Sequence, residues 1–188
     1  MDTEKLGTSL ILNYLSKFPV MVWDSSLRHR LQNPKKILEG ADLKEGQTVL
    51  EVGCGSGFFT IPTAELIGES GHLIAMDPMA NFVDEVRQKA QARGLTNIDV
   101  IRRDALRTEL ETASVDVVLL FGVVPFATLP LSRLLPEMHR VLRPAGTLAL
   151  WQFPASAGVP SAIGRSGLFS YLGKRNSTRT FVRDDLRL

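Results

Sequence analysis

A chain of 188 residues, 44% of them apolar and 22% charged, is long enough for one domain with a substantial core. The formal net charge of +2 is too small to argue for a nucleic-acid partner, and none is expected. A single cysteine, Cys54, excludes an intrachain disulfide and leaves no thiol cluster for a metal. The most apolar stretch, 115–131, holds Asp116 and is broken by Pro125 and Pro130, so no membrane span is expected. Asp2 and Glu4 make the start a poor signal peptide, and the expected location is the cytoplasm.

Residues 3–18 carry Leu6, Leu10, Ile11, Tyr14, Leu15 and Phe18 at helical spacing, predicting an amphipathic helix ended by Pro19. The next stretch has no clean period and carries Trp23 and His29. Asn33 followed by Pro34 is an N-cap with proline at the first helical position, opening a short helix to about Glu39, with Gly40 as its stop. The run 48–52 is apolar and β-prone, as a buried parallel strand requires. Gly53, Gly55 and Gly57 follow at alternate positions, then a helix from about Phe58 to Gly68 with Pro62 in its first turn.

Further strands are predicted at 72–76, closed by Asp77, and at 98–102, 115–121 and 147–153, with helices at 79–93 and 131–142 between them. Residues 143–146 read as the turn into the fifth strand. Eleven of the fourteen residues in 154–167 are Pro, Ala, Ser or Gly, enough for a crossover with a short helix. The runs 168–174 and 178–183 then form a hairpin around Arg175, Asn176 and Ser177. Alternating strands and helices mean an α/β fold: a doubly wound, Rossmann-like, mostly parallel sheet finished by an antiparallel hairpin. The chain divides into 1–32 as an N-terminal helical cover, 33–153 as a core, and 154–188 as crossover and hairpin.

Ligands on such sheets bind beyond the carboxyl ends of the strands. Alternating glycines let a ligand press on bare main chain, and a helix start favours a polar or anionic group. The stretch E-V-G-C-G-S-G from Glu51 to Gly57 is not a dinucleotide fingerprint, because Phe58 stands where the third glycine would be. It resembles the first motif of the class I S-adenosylmethionine-dependent methyltransferases, and within them the small ubiquinone/menaquinone type. That resemblance implies S-adenosylmethionine as cofactor, with Gly53, Cys54, Gly55 and Gly57 along its methionine part and Glu51 near its amino group. It implies Asp77 on the ribose hydroxyls, Pro78 and Met79 along the adenine, Asp104 on the adenine amine and the Ala105 amide on a ring nitrogen; Phe121 is placed at the same pocket by its position at a strand end. The alternative readings are a helix-start acid for Asp77 and an Asx-turn residue for Asp104.

In-line methyl transfer needs alignment more than a catalytic side chain, and no catalytic residue is evident. After the fourth strand come Phe121, Gly122, Val123, Val124, Pro125 and Phe126. They lack the Asn/Asp-Pro-Pro-Tyr/Phe pattern of amide- or adenine-directed relatives, the carboxylates of catechol-type relatives, and the cysteines of arsenic-type ones. The expectation is a small-molecule acceptor in an apolar pocket, with no metal. Tyr14, Trp23, His29, Val124 and Phe126 are candidates to touch it, the first three from a cover over the pocket. A nicotinamide-dependent oxidoreductase and a non-catalytic cofactor-binding regulator remain the alternatives. His72 is expected at the surface, at the strand end away from the pocket, His139 to be structural, and Trp151 to belong to the core.

Overall fold

The computed structural model describes residues 33–124, 129–152 and 158–185. The expected N-terminal helix and cover therefore lie outside the described residues. A seven-stranded sheet has the order β3-β2-β1-β4-β5-β7-β6. Its strands are β1 (Thr48–Val52), β2 (His72–Asp77), β3 (Ile98–Arg102), β4 (Val115–Phe121), β5 (Leu142–Trp151), β6 (Phe169–Arg175) and β7 (Thr178–Arg183). The first five run parallel, and β7 is antiparallel to both β5 and β6. The helices are α1 (Pro34–Leu38), α2 (Thr60–Ile67), α3 (Ala80–Ala92), α4 (Leu131–Val141) and α5 (Gly158–Arg165). No described helix is long and apolar enough to cross a membrane.

Parallel strands must be covered on both faces, so β1 and β4 bury nearly every residue. Leu50, Val118, Leu120 and Phe181 face Leu134 and Met138 of α4 and Ile163 of α5. Val49, Val117 and Leu119 face Ile67 of α2, Val86 of α3 and Leu38 of α1. Neighbouring residues of one strand thus enter opposite cores. The chain reverses between β1 and β4, which opens the switch point at their carboxyl ends.

Four local expectations change. The Asn33 side chain caps α1 by accepting from the Lys36 amide at 3.2 Å, but Gly40 does not stop the helix. A 3-10 turn continues over Glu39–Ala41, and the left-handed residue is Asp42. Gly40 is small for another reason: a Cβ there would lie 2.2 Å from the Arg175 carbonyl oxygen and 2.6 Å from Thr178 Cβ. Second, α2 starts at Thr60, because Gly57 at φ 85° keeps the chain turning and leaves Phe58 and Phe59 as buried loop aromatics. Third, Asp77 lies within β2, paired with Arg102.

Fourth, the expected turn 143–146 is an irregularity within β5. Val115 pairs with Leu142 and Val117 with Thr147, so the extra residues bulge out between two paired positions. The hairpin turn shortens to Asn176 and Ser177, with φ 48° and 68°, the sign pattern that twists β6 and β7 correctly. His72 lies within 3.1 Å of Asp99, and His139 is buried with its Nε2 3.2 Å from the Asp184 carbonyl oxygen. Trp151 is buried edge-on to Phe59 at 5.3 Å between ring centroids.

Candidate active site

The site starts where β1 ends. Glu51 is the second-last residue of β1, and burial leaves it almost no access to water. Desolvation lifts its carboxyl to about 8, the Thr60 hydroxyl pulls it partly back, and the nearby Asp77 charge adds to the rise. The Thr60 contact falls short of a formed hydrogen bond: Glu51 Oε2 and Thr60 Oγ1 are both buried without a hydrogen-bond partner among the described residues. An orphaned buried carboxylate oxygen is expensive, and a cation placed against it would remove that cost.

The glycine loop is held from two sides. The amides of Gly53 and Cys54 both donate to the Met76 carbonyl, at 2.8 and 3.0 Å, and the Gly55 amide donates to Asp77 Oδ2 at 3.1 Å. On the far side Lys89 Nζ donates to the Ser56 carbonyl at 2.7 Å. The three glycines have φ of 72°, 51° and 85°, the left-handed region that side chains avoid. Their surroundings differ. A Cβ on Gly53 would strike Val123 Cγ1 at 2.4 Å, and one on Gly57 would meet Val86 at 3.2 Å. Among the described residues nothing lies within 4 Å of a Cβ on Gly55, so its bare face borders open space there.

Asp77 is buried at the end of β2 with both oxygens engaged, since Oδ1 also accepts from the Met79 amide at 2.9 Å. Desolvation still lifts it to about 6, against those two hydrogen bonds. The Met79 amide lies before the first turn of α3, which carries no acidic residue, so this contact is a turn between β2 and the helix; remaining lone pairs leave room for a ribose as well. Cys54 is buried, and burial followed by the Asp77 and Glu51 charges pushes its thiol well up, so it stays a neutral packing residue.

Pro78 accepts from Arg102 Nε at 3.1 Å, and Met79 is buried at the start of α3. Asp104 Oδ1 accepts from the Leu106 amide at 2.8 Å, an Asx turn, and Ala105 beside it is buried. A clamp fixes the segment that follows. Glu137 accepts from the Thr108 amide at 2.9 Å, the Thr108 hydroxyl at 2.6 Å and Arg140 Nη2 at 2.7 Å, while Arg140 Nη1 donates to the Leu110 carbonyl at 2.8 Å. Phe121 is buried edge-on to Phe59 at 5.0 Å. Val123 packs on Gly53, and Val124 is buried next to it. Tyr14, Trp23, His29 and Phe126 lie outside the described residues.

Comparison with known proteins bears on this arrangement. The family described as "Methyltransferase domain" matches residues 49–146, just over half of the chain. The chain belongs to the class I S-adenosylmethionine-dependent methyltransferase family. A demethylmenaquinone methyltransferase of Geobacillus stearothermophilus is 33% identical over 124 residues, covering 64% of this chain and 51% of that protein. Protein-L-isoaspartate O-methyltransferase 2 of Archaeoglobus fulgidus is 32% identical over 110 residues, covering 58% and 50%. The chain therefore spans about half the length of the curated relatives it matches. The crystal structure of a SAM-dependent methyltransferase from Aquifex aeolicus superposes with a TM-score of 0.75 at 24% identity, covering 88% of this chain and 96% of that one. At that identity the likeness establishes the methyltransferase fold.

Sequence reasoning missed Thr60, Val123 as the wall of Gly53, Lys89 on the loop carbonyl, and Gln152. Each is one ordinary residue without a motif, visible only once its partners are counted.

Proposed function

We propose that the chain binds S-adenosylmethionine beyond the carboxyl ends of β1 and β2 and transfers its methyl group to a small-molecule acceptor by in-line displacement. The observation that carries this is Glu51: a buried carboxylate with an orphaned oxygen, beside a glycine loop whose Gly55 faces open space. A cationic amine fits there, since it would supply the missing donor and favour the charged carboxylate, whereas an anionic group would not. When bound, S-adenosylmethionine supplies a methyl group on a sulfonium, which leaves as a neutral thioether once an acceptor lone pair attacks.

The chain's own work is holding and desolvating. Glu51 receives the amino end, Asp77 the ribose, and Pro78, Met79, Asp104 and Ala105 form the adenine end. Val123 and Val124 border the sulfonium side with apolar surface, which favours a small apolar acceptor over a polypeptide. The relatives named for demethylmenaquinone support that acceptor class. Calorimetry with S-adenosylmethionine, S-adenosylhomocysteine and NAD tests the reading. Binding of the first two and not the third is expected. Tight NAD binding with no heat from the others would overturn it.

A further inference from the structure

Beyond Glu51 and Thr60, a further buried polar group stands unsatisfied at the same edge of the sheet. Gln152 follows the last residue of β5 and is 8% exposed. Its Nε2 donates to the Val124 carbonyl at 3.1 Å, while its Oε1 is buried and has no hydrogen-bond partner among the described residues. The amide orientation is fixed by chemistry: reversed, Oε1 would face the Val124 carbonyl, acceptor against acceptor. The free position is therefore an acceptor position.

Its place gives that oxygen a meaning. Trp151, just before it, pairs with Phe121 at the carboxyl end of β4. Val124, which Gln152 holds, adjoins Val123, which lies against the bare face of Gly53. A short chain of contacts thus runs from the glycine loop through Val123 and Val124 to the Gln152 amide. Glu51 on β1 and Gln152 beyond β5 are both buried with one orphaned oxygen, on either side of the β1–β4 switch point. Native proteins satisfy nearly all buried polar atoms, so an orphan at a ligand edge calls for a ligand.

We infer that Gln152 is an acceptor-binding residue: its Oε1 receives a hydrogen bond from an O–H or N–H at, or directly beside, the nucleophilic atom of the methyl acceptor. This rests on the methyltransferase reading and narrows it to acceptors of the phenol, enol or aromatic-amine class. Gln152 is not a base. The acceptor lone pair forms the bond to the methyl carbon, the carbon–sulfur bond breaks with its electrons onto sulfur, and the acceptor's proton passes to water. Gln152 orients that O–H or N–H, and with it the lone pair, before transfer. An acceptor lacking the donor leaves Oε1 buried and unpaired, so selectivity arises by exclusion.

The test uses the full chain saturated with S-adenosylhomocysteine and two probes, 1-naphthol and 1-methoxynaphthalene, which differ in the donor. Calorimetry should show the naphthol binding about tenfold more tightly than the ether, as one buried hydrogen bond implies. Gln152→Met should abolish that preference while leaving S-adenosylhomocysteine affinity within about twofold. Equal affinity for the two probes, binding of neither, or a preference retained in Gln152→Met overturns the proposal. Failure of the wild-type chain to bind S-adenosylhomocysteine overturns the methyltransferase reading instead. Should Gln152→Met lose that ligand, the wild-type comparison of naphthol with ether still decides.

Discussion

The Asp77 carboxylate accepts the Gly55 amide at 3.1 Å, so the acid expected to meet the ribose also fixes the loop that lies along the rest of the cofactor. Binding and loop shape share one side chain. Asp77→Ala should therefore cost about 1–3 kcal/mol of stability, from orphaned amides at Gly55 and Met79, as well as cofactor affinity. Asp77→Asn keeps one acceptor oxygen and should lose less of both. Thermal melts and calorimetry on the two variants check this; an affinity loss in Asp77→Ala with an unchanged melting temperature would separate the two roles.

Glu51 sets a pH dependence whose sign can be worked out. Its folded-state value near 8 lies above the unfolded value of 4.5, so the native state holds the proton more tightly. The stability this gives is fully present below about pH 4.5 and is lost as pH rises through about 8. The cofactor-free protein should become less stable between those limits. Glu51→Gln should flatten that loss and melt higher at pH 8, yet bind S-adenosylmethionine at least about tenfold more weakly. Chemical denaturation across pH 5–9 gives the measurement, and an equal slope in both proteins would rule Glu51 out as its source.

The glycines divide stability from binding. Gly55→Ala meets no neighbour and carries only the strain of its φ of 51°, about 1–2 kcal/mol, but its methyl group enters the ligand's space. It should fold and fail to bind cofactor. Gly40→Ala should do the reverse, since its Cβ would collide with Arg175 backbone far from the loop. Melting temperature and cofactor affinity, measured on both variants, should move in this crossed pattern.

Glu137 predicts acid behaviour of the opposite sign. The Arg140 hydrogen bonds lead in holding its carboxyl down at about 2, with Thr108 assisting. The stability it contributes is present above about pH 4.5 and is lost as pH falls toward 2. Glu137→Gln should weaken the clamp on residues 108–110 and remove part of the acid-induced loss. Hydrogen exchange of the Thr108 and Leu110 amides should accelerate in that variant while strand β1 keeps its protection.

Much of this architecture is readable from the chain because its signals are local. Strands β1, β3 and β4 match the sequence reading to the residue, each an apolar β-prone run bounded by glycine, aspartate or a polar loop. The errors arise where a distant partner decides. Phe58 and Phe59 continue a helical apolar pattern, but the Gly57 turn keeps them in the loop. Residues 143–146 look like a turn until Val115 is seen to pair with Leu142. Gly40 looks like a helix stop until Arg175 arrives beside it. In the site, Glu51, Asp77 and the glycines announce themselves by spacing. Gln152 does not, because a single glutamine after an apolar strand carries no pattern until its oxygen is found without a partner.

The docking of α1 on the hairpin has a consequence for how the molecule assembles. Asn176 donates to Glu39 across 137 residues at 2.8 Å, and Thr178 donates to the Ile37 carbonyl across 141 at the same distance. The glycine loop, by contrast, closes on Asp77 across only 22 residues. During synthesis α1 emerges long before the hairpin on which it docks, because their contacts span 137 and 141 residues. The β1–β2 half can form its loop early, while β7 must still enter between β5 and β6 at the far edge of the sheet. Closure of this edge of the sheet is thus a long-range event, in which the hairpin and α1 lock each other in place.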